Sequence, residues 1–145
     1  MSIGKRSDPY TGMRFHVEIR GLFVGGFSEV TGLQVETETE EFREGGVNHM
    51  VHRFPKVSKP SNVTLKRGIT DSDVLWKWHR EIVNGNVTRR GGRIILLDAN
   101  GDEARYWMFE GAFPVKWVGP DFKADGNAAA VETIELVHEG LKCGC

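Results

Sequence analysis

Apolar and polar residues alternate with a period of two along much of the chain. From Met13 to Arg20, Phe15, Val17 and Ile19 fall on one side, and His16, Glu18 and Arg20 on the other. This predicts a strand with one buried face. Gly21 opens a turn, residues 22–27 continue the sheet with a bend at Gly25-Gly26, and Ser28 to Gly32 reads as a short turn-bounded segment. From Leu33 to Phe42, Leu33, Val35, Thr37 and Thr39 alternate with Gln34, Glu36, Glu38 and Glu40, so three glutamates share a face. Further strands are predicted at Asn62–Arg67, Arg93–Leu97, Arg105–Phe109, Gly111–Val118 and Val131–His138. Asn100-Gly101 supplies a hairpin turn between the second and third of these. Pro114 confines its strand to an edge or a bulge.

One segment departs from this period. Val74, Leu75, Trp78 and Ile82 repeat at helical spacing, with Lys77, Arg80 and Glu81 largely outside their stripe. Thr70 as N-cap with Asp73 three residues on makes a start like a capping box, and Asn84 or Gly85 ends the run. The helix is predicted over 71–83, with Leu75, Trp78 and Ile82 packed on a sheet. Trp76 lies two residues from Trp78 and points elsewhere. It is a candidate interface residue, or it packs against an adjoining loop.

Residues 42–60 follow neither period. Met50, Val51, Phe54 and Val57 are scattered among Arg43, His49, His52, Arg53, Lys56 and Lys59. Pro55 and Pro60 forbid a central strand where they stand. The segment is either a long loop or an extended arm containing a short strand. Its apolar residues and stiffening prolines mark it for contact with something else.

Composition narrows the choice of function. The chain has 145 residues, a hydrophobic fraction of 39%, a charged fraction of 27% and a net charge of -1. This is a folded, single-domain composition, with no basic block for nucleic acid or a membrane surface. No apolar run is long enough to cross a bilayer or serve as a signal core, so synthesis in the cytoplasm is expected. The 18 glycines punctuate short strands, as in a mainly β fold. Cys143 and Cys145 are too close to staple the fold and read as part of a flexible tail over 142–145. No phosphate loop, dinucleotide fingerprint, nucleophile elbow or CxxC pair is present, and His49 and His52 read as a surface pair, with a zinc site that needs a third ligand as the alternative. His138, near a strand end, reads as solvated, and Glu132 and Glu135 add further acid to the last strand. No catalytic, cofactor or metal residue is assigned, and an enzyme is not expected.

Several segments in order carry a resemblance. They are Asp8-Pro-Tyr10, Phe15-His-Val-Glu-Ile19, Phe27-Ser-Glu-Val-Thr-Gly-Leu33, Leu65-Lys-Arg-Gly68, Leu75-Trp-Lys-Trp78 and Glu132-Thr-Ile-Glu-Leu-Val-His-Glu-Gly-Leu141. Together, over essentially the whole chain, they resemble the tail-tube proteins of contractile phage tails, above all the inner-tube subunits of extracellular contractile injection systems. The resemblance implies a mainly β fold of two packed antiparallel sheets forming a small barrel with one flanking helix, as in type VI secretion tubes. It implies hexameric rings stacked into a hollow tube inside a sheath, with baseplate, spike and terminator proteins as further partners. Protein cargo is a candidate content of the lumen, and nucleic acid and a membrane anchor are not expected. It also implies assembly in the cytoplasm and a place in an extracellular particle. Glu36, Glu38 and Glu40 then become candidates for lining the lumen. The arm, with Arg43, His49, Met50, Val51, His52, Arg53, Phe54, Lys56, Val57 and Lys59, becomes a candidate contact between rings. The other readings are the tube of a true phage or prophage tail and, in a different class, a small monomeric β-rich binding module.

Overall fold

The alternating segments form strands in the computed structural model, which describes residues 14–22, 25–43, 51–121 and 130–144. In chain order the elements are β1 (Arg14–Ile19), β2 (Gly26–Phe27), β3 (Glu29–Thr31), β4 (Val35–Arg43), β5 (Val51–Pro60), β6 (Val63–Gly68), α1 (Val74–Val83), β7 (Arg90–Leu97), β8 (Glu103–Val118), β9 (Val131–Val137) and β10 (Gly140–Gly144).

Hydrogen bonding follows the order β2-β1-β7-β8-β9-β6-β3, with β10 also on β8. All the pairings are antiparallel. β8 belongs to both halves of this arrangement, because its first part pairs with β7 and β10 and its second with β9. The sequence suggested two strands here, but the structure has one, bent at Gly111, whose φ of 62° suits glycine. Pro114 stands beside a register shift against β9, in a stretch with no partner on its other flank, as its missing N–H requires.

Residues 26–31 pair with β1 at one end and β6 at the other. They clip the two sheets together, yet the strand order retains two ends. The small barrel implied by the resemblance is therefore corrected to two packed sheets without closure. Between them lie Val17, Ile19, Leu65, Ile94, Phe109 and Ile134, all buried. Leu75 and Trp78 of α1 complete this core, while Ile82 is only half-buried.

The helix begins later than expected. Asp73 occupies the N-cap position without a side-chain cap bond, and Thr70 Oγ1 instead accepts from the Ser72 amide at 3.2 Å. The Thr70 hydroxyl is committed to a local turn, so no capping box forms. Gly85, at φ 90°, makes the expected left-handed stop. Residues 142–144, expected to be free, pair with β8: Lys142 stands opposite Met108 and Gly144 opposite Tyr106.

Candidate assembly surface

The glutamate strand and the arm are two legs of one hairpin. β4 pairs with β5 from Val35↔Pro60 to Arg43↔Val51, and neither strand pairs with the main sheets. The arm is thus extended, as one alternative held, but its described part is a ten-residue strand. The ribbon has two edges, which is where proline is tolerated. The register slips between Thr37↔Ser58 and Thr39↔Pro55, leaving Lys56 and Val57 opposite the single Glu38. This is a bulge next to Pro55, as expected where a ladder bond cannot form. His49 and Met50 lie outside the described residues.

Directly opposed residues project to the same face. Glu36 therefore shares its face with Lys59, Glu40 with Phe54, and Phe42 with His52. The three glutamates are exposed and on one face, but that face is not purely acidic. Lys59 Nζ lies 3.2 Å from Glu38, and Arg53 lies 3.4 Å from Glu41. Two of the arm's basic residues thus pair within their own hairpin. Both pairs are exposed and contribute little to stability.

The ribbon buries almost nothing of itself. Val35, Phe42, Phe54 and Val57 each keep more than half of their surface in water. A lone two-stranded hairpin is marginal in water at best. Covering the exposed half or so of each of these side chains would contribute about 1 kcal/mol.

The root of the ribbon, by contrast, is tightly built. Gln34 Nε2 donates to Ser61 Oγ at 2.8 Å, and the Ser61 amide donates to the Gln34 carbonyl at 3.2 Å. Gly32, at φ 89°, sits against the Asn62 carbonyl with no room for a Cβ. His138 joins from the far end of β9: Nε2 is 2.9 Å from the Ser61 carbonyl and Nδ1 is 3.1 Å from that of Gly140. This half-buried clamp replaces the solvated histidine expected from sequence.

On the helix side, Trp76 is partly exposed and packs edge-on against Trp117, with centroids 4.8 Å apart, while Arg80 lies over its other flank. Trp117 Nε1 donates to Glu132 Oε2 at 3.3 Å, and Arg67 Nε donates to Glu132 Oε1 at 2.6 Å. Glu132 is therefore interior. The signal was in the pattern: Arg67 shares its parity with Val63 and Leu65, and Glu132 with Ile134 and Leu136.

A cleft of about 370 Å³ lies beside β1, β7 and β8, lined by Glu18, Arg20, Arg93 and Glu110. Its charges are already paired: Arg93 with Glu18 at 2.7 Å and Arg20 with Glu110 at 4.0 Å. The hydrogen bond to Glu18 holds the Arg93 guanidinium above its usual range. Among the described residues no group of three or more His, Cys, Asp or Glu side chains could hold a metal ion.

The chain is a two-sheet body carrying a separately paired hairpin with exposed apolar side chains, and no built catalytic or metal site stands among the described residues. The family model of the T4-like virus tail tube protein gp19 matches residues 11–142, and the chain belongs to that tail-tube family. Among solved structures, it is similar to a chain of the sheath–tube complex of the PVC extracellular contractile injection system. That match has 28% identity and a TM-score of 0.83, covering 94% of this chain and 91% of the other. A chain from the tube-terminating cap of the anti-feeding prophage matches at 26% identity and a TM-score of 0.84, over 96% and 93% of the two chains. Hcp1 from Flavobacterium johnsoniae shares the fold at 16% identity and a TM-score of 0.57, over 90% and 94%. No curated protein matches by sequence. The protein is a structural tube component of the kind found in contractile injection systems and phage tails.

Proposed function

We propose that the chain closes into hexameric rings that stack into the hollow inner tube of a contractile injection particle, with the β4–β5 hairpin as the element that joins copies. The observation that carries this is the hairpin: Val35, Phe42, Phe54 and Val57 are exposed on a ribbon with no core of its own. Such a surface is stable when another copy covers it. Rings of identical subunits require heterologous contacts, and the ribbon offers unpaired edges for them. The described arm residues Val51, His52, Arg53, Phe54, Lys56, Val57 and Lys59 would meet the neighbouring ring, together with Arg43, His49 and Met50. Along the face they share, Glu36 and Glu38 near the root, with Glu40 at the border, would face the lumen and leave a hydrated lining for passing protein cargo, while Phe42 and Phe54 towards the tip would reach past the lumen to the neighbouring ring. A sheath would surround the tube, with baseplate, spike and terminator proteins at its ends. The likeness to chains from a sheath–tube complex and a tube-terminating cap supports these partners. The tube's work is mechanical, as a conduit driven by sheath contraction, and no bond chemistry is asked of it.

Glu36 and Lys59 are register partners that both carry an amide N–H, so residues 37–58 can be replaced by an Asn-Gly turn without moving the root. Electron microscopy of the wild type should show rings or tubes. The shortened variant should remain folded and fail to form tubes. Normal tubes from that variant, or a wild type that stays monomeric at every concentration, would overturn the proposal.

A further inference from the structure

We infer that His138 couples the seating of the β4–β5 hairpin to the start of β10, and that it serves both only as an imidazolium. Its two ring nitrogens each face a backbone carbonyl, Nε2 that of Ser61 at 2.9 Å and Nδ1 that of Gly140 at 3.1 Å. A carbonyl oxygen only accepts, and a neutral imidazole carries one N–H. The neutral ring therefore satisfies one carbonyl and leaves the other facing a bare nitrogen lone pair. The cation satisfies both.

The two acceptors belong to different elements. Ser61 is the hairpin root, tied to Gln34 by two hydrogen bonds. Gly140 opens β10, which is fixed next to β8 by the Glu139 amide donating to the Glu110 carbonyl at 2.9 Å. The ring lies half-buried, tilted against Phe109 with centroids 6.5 Å apart. The charged groups on the elements around it have partners of their own or point to other sites. Glu139 pairs with Arg89, Glu110 with Arg20 and Lys59 with Glu38, while Lys142 lines a separate cleft beside Met108. Among the described residues no carboxylate pairs with the ring, so the two carbonyl dipoles are what the imidazolium meets. Loss of the proton must loosen either the hairpin root or the start of β10. The consequence for assembly rests on the hairpin being the joining element, but the clamp itself does not.

Amide exchange at Ser61 and Glu139, corrected for intrinsic rates, reads the two sides within the subunit. In the wild type both amides should be protected at low pH. As rising pH removes the ring's second proton, one of them should lose protection, by about tenfold or more for one hydrogen bond from a charged donor. Gln places its amide nitrogen near Nε2, and Asn near Nδ1. His138→Gln should keep Ser61 protected with no pH step, and His138→Asn should keep Glu139 protected with no pH step. Nitrogen-15 spectra of histidine-labelled wild type, assigned against His138→Gln, should show both ring nitrogens protonated wherever both amides are protected. A singly protonated ring in that state, or the same pH step in either variant, would overturn the inference. If a variant fails to fold, the wild-type spectrum decides alone. If the clamp behaves as described and no tubes form, the assembly proposal fails while this one stands.

Discussion

Arg67 and Glu132 face each other across β6 and β9, with Nε 2.6 Å from Oε1 and both side chains more than nine-tenths buried. The pair lies on the apolar faces of both strands, and Arg67 Nη2 is buried without a hydrogen-bond partner among the described residues. Desolvation offsets much of the attraction in such a pair, so it is weak evidence for net stability. Removing one member leaves the other uncompensated. Glu132→Ala should therefore cost about 3–5 kcal/mol in urea denaturation. Arg67→Met combined with Glu132→Leu should cost less than Glu132→Ala alone. An equal or larger loss in the double variant would show that packing, not the orphaned charge, controls the site.

Trp78 is almost fully buried under α1, and its Nε1 donates to the Thr88 carbonyl at 3.3 Å. Trp78→Ala should cost about 3–5 kcal/mol and Leu75→Ala about 2–5 kcal/mol. Ile82→Ala should cost less, because half-burial leaves less area to lose. Denaturation midpoints of the three variants should fall in that order, and an Ile82→Ala loss matching Trp78→Ala would contradict the packing described.

Period two was readable wherever one strand face met the core, as in Phe15, Val17 and Ile19. It was equally readable in β4, whose faces are both exposed, but there it could not say which face another copy covers. β5 was hidden because Pro55 and Pro60 argue against a ladder, and a two-edged ribbon with a bulge relaxes that objection. Arg67 and Glu132 were hidden by their charge, which outweighed their parity. The bond of His138 to Ser61 joins residues 77 apart in the chain, beyond the reach of any local pattern.

Trp76 should behave differently from Trp78. Its ring meets Trp117 at 4.8 Å but stays partly in water. Trp76→Ala should cost about 0.5–1.5 kcal/mol for the aromatic pair, plus a modest area term. If the helix also meets the sheath, this variant should form normal tubes yet bind the sheath less well in a co-sedimentation assay. Unchanged binding would confine Trp76 to a packing role.

Two glycines with nearly the same backbone angle should respond in opposite ways. Gly32 and Gly85 have φ of 89° and 90°, so alanine at either adopts a left-handed conformation at a cost of about 1–2 kcal/mol. At Gly85 an added Cβ meets nothing within 4 Å, and the cost ends there. At Gly32 the Cβ runs into the Asn62 carbonyl and approaches the Val63 Cα at 3.2 Å. These are backbone atoms, and they cannot rotate away. The chain around Gly32 must shift, and Gln34 and Ser61, which hold the hairpin root, are its immediate neighbours. Gly32→Ala should therefore disturb the direction of the ribbon as well as the stability of the subunit. Gly85→Ala should melt slightly early and still form tubes. Gly32→Ala should lose tubes at temperatures where circular dichroism shows the subunit folded. If both variants assemble normally while folded, the ribbon's root does not set the contact between copies.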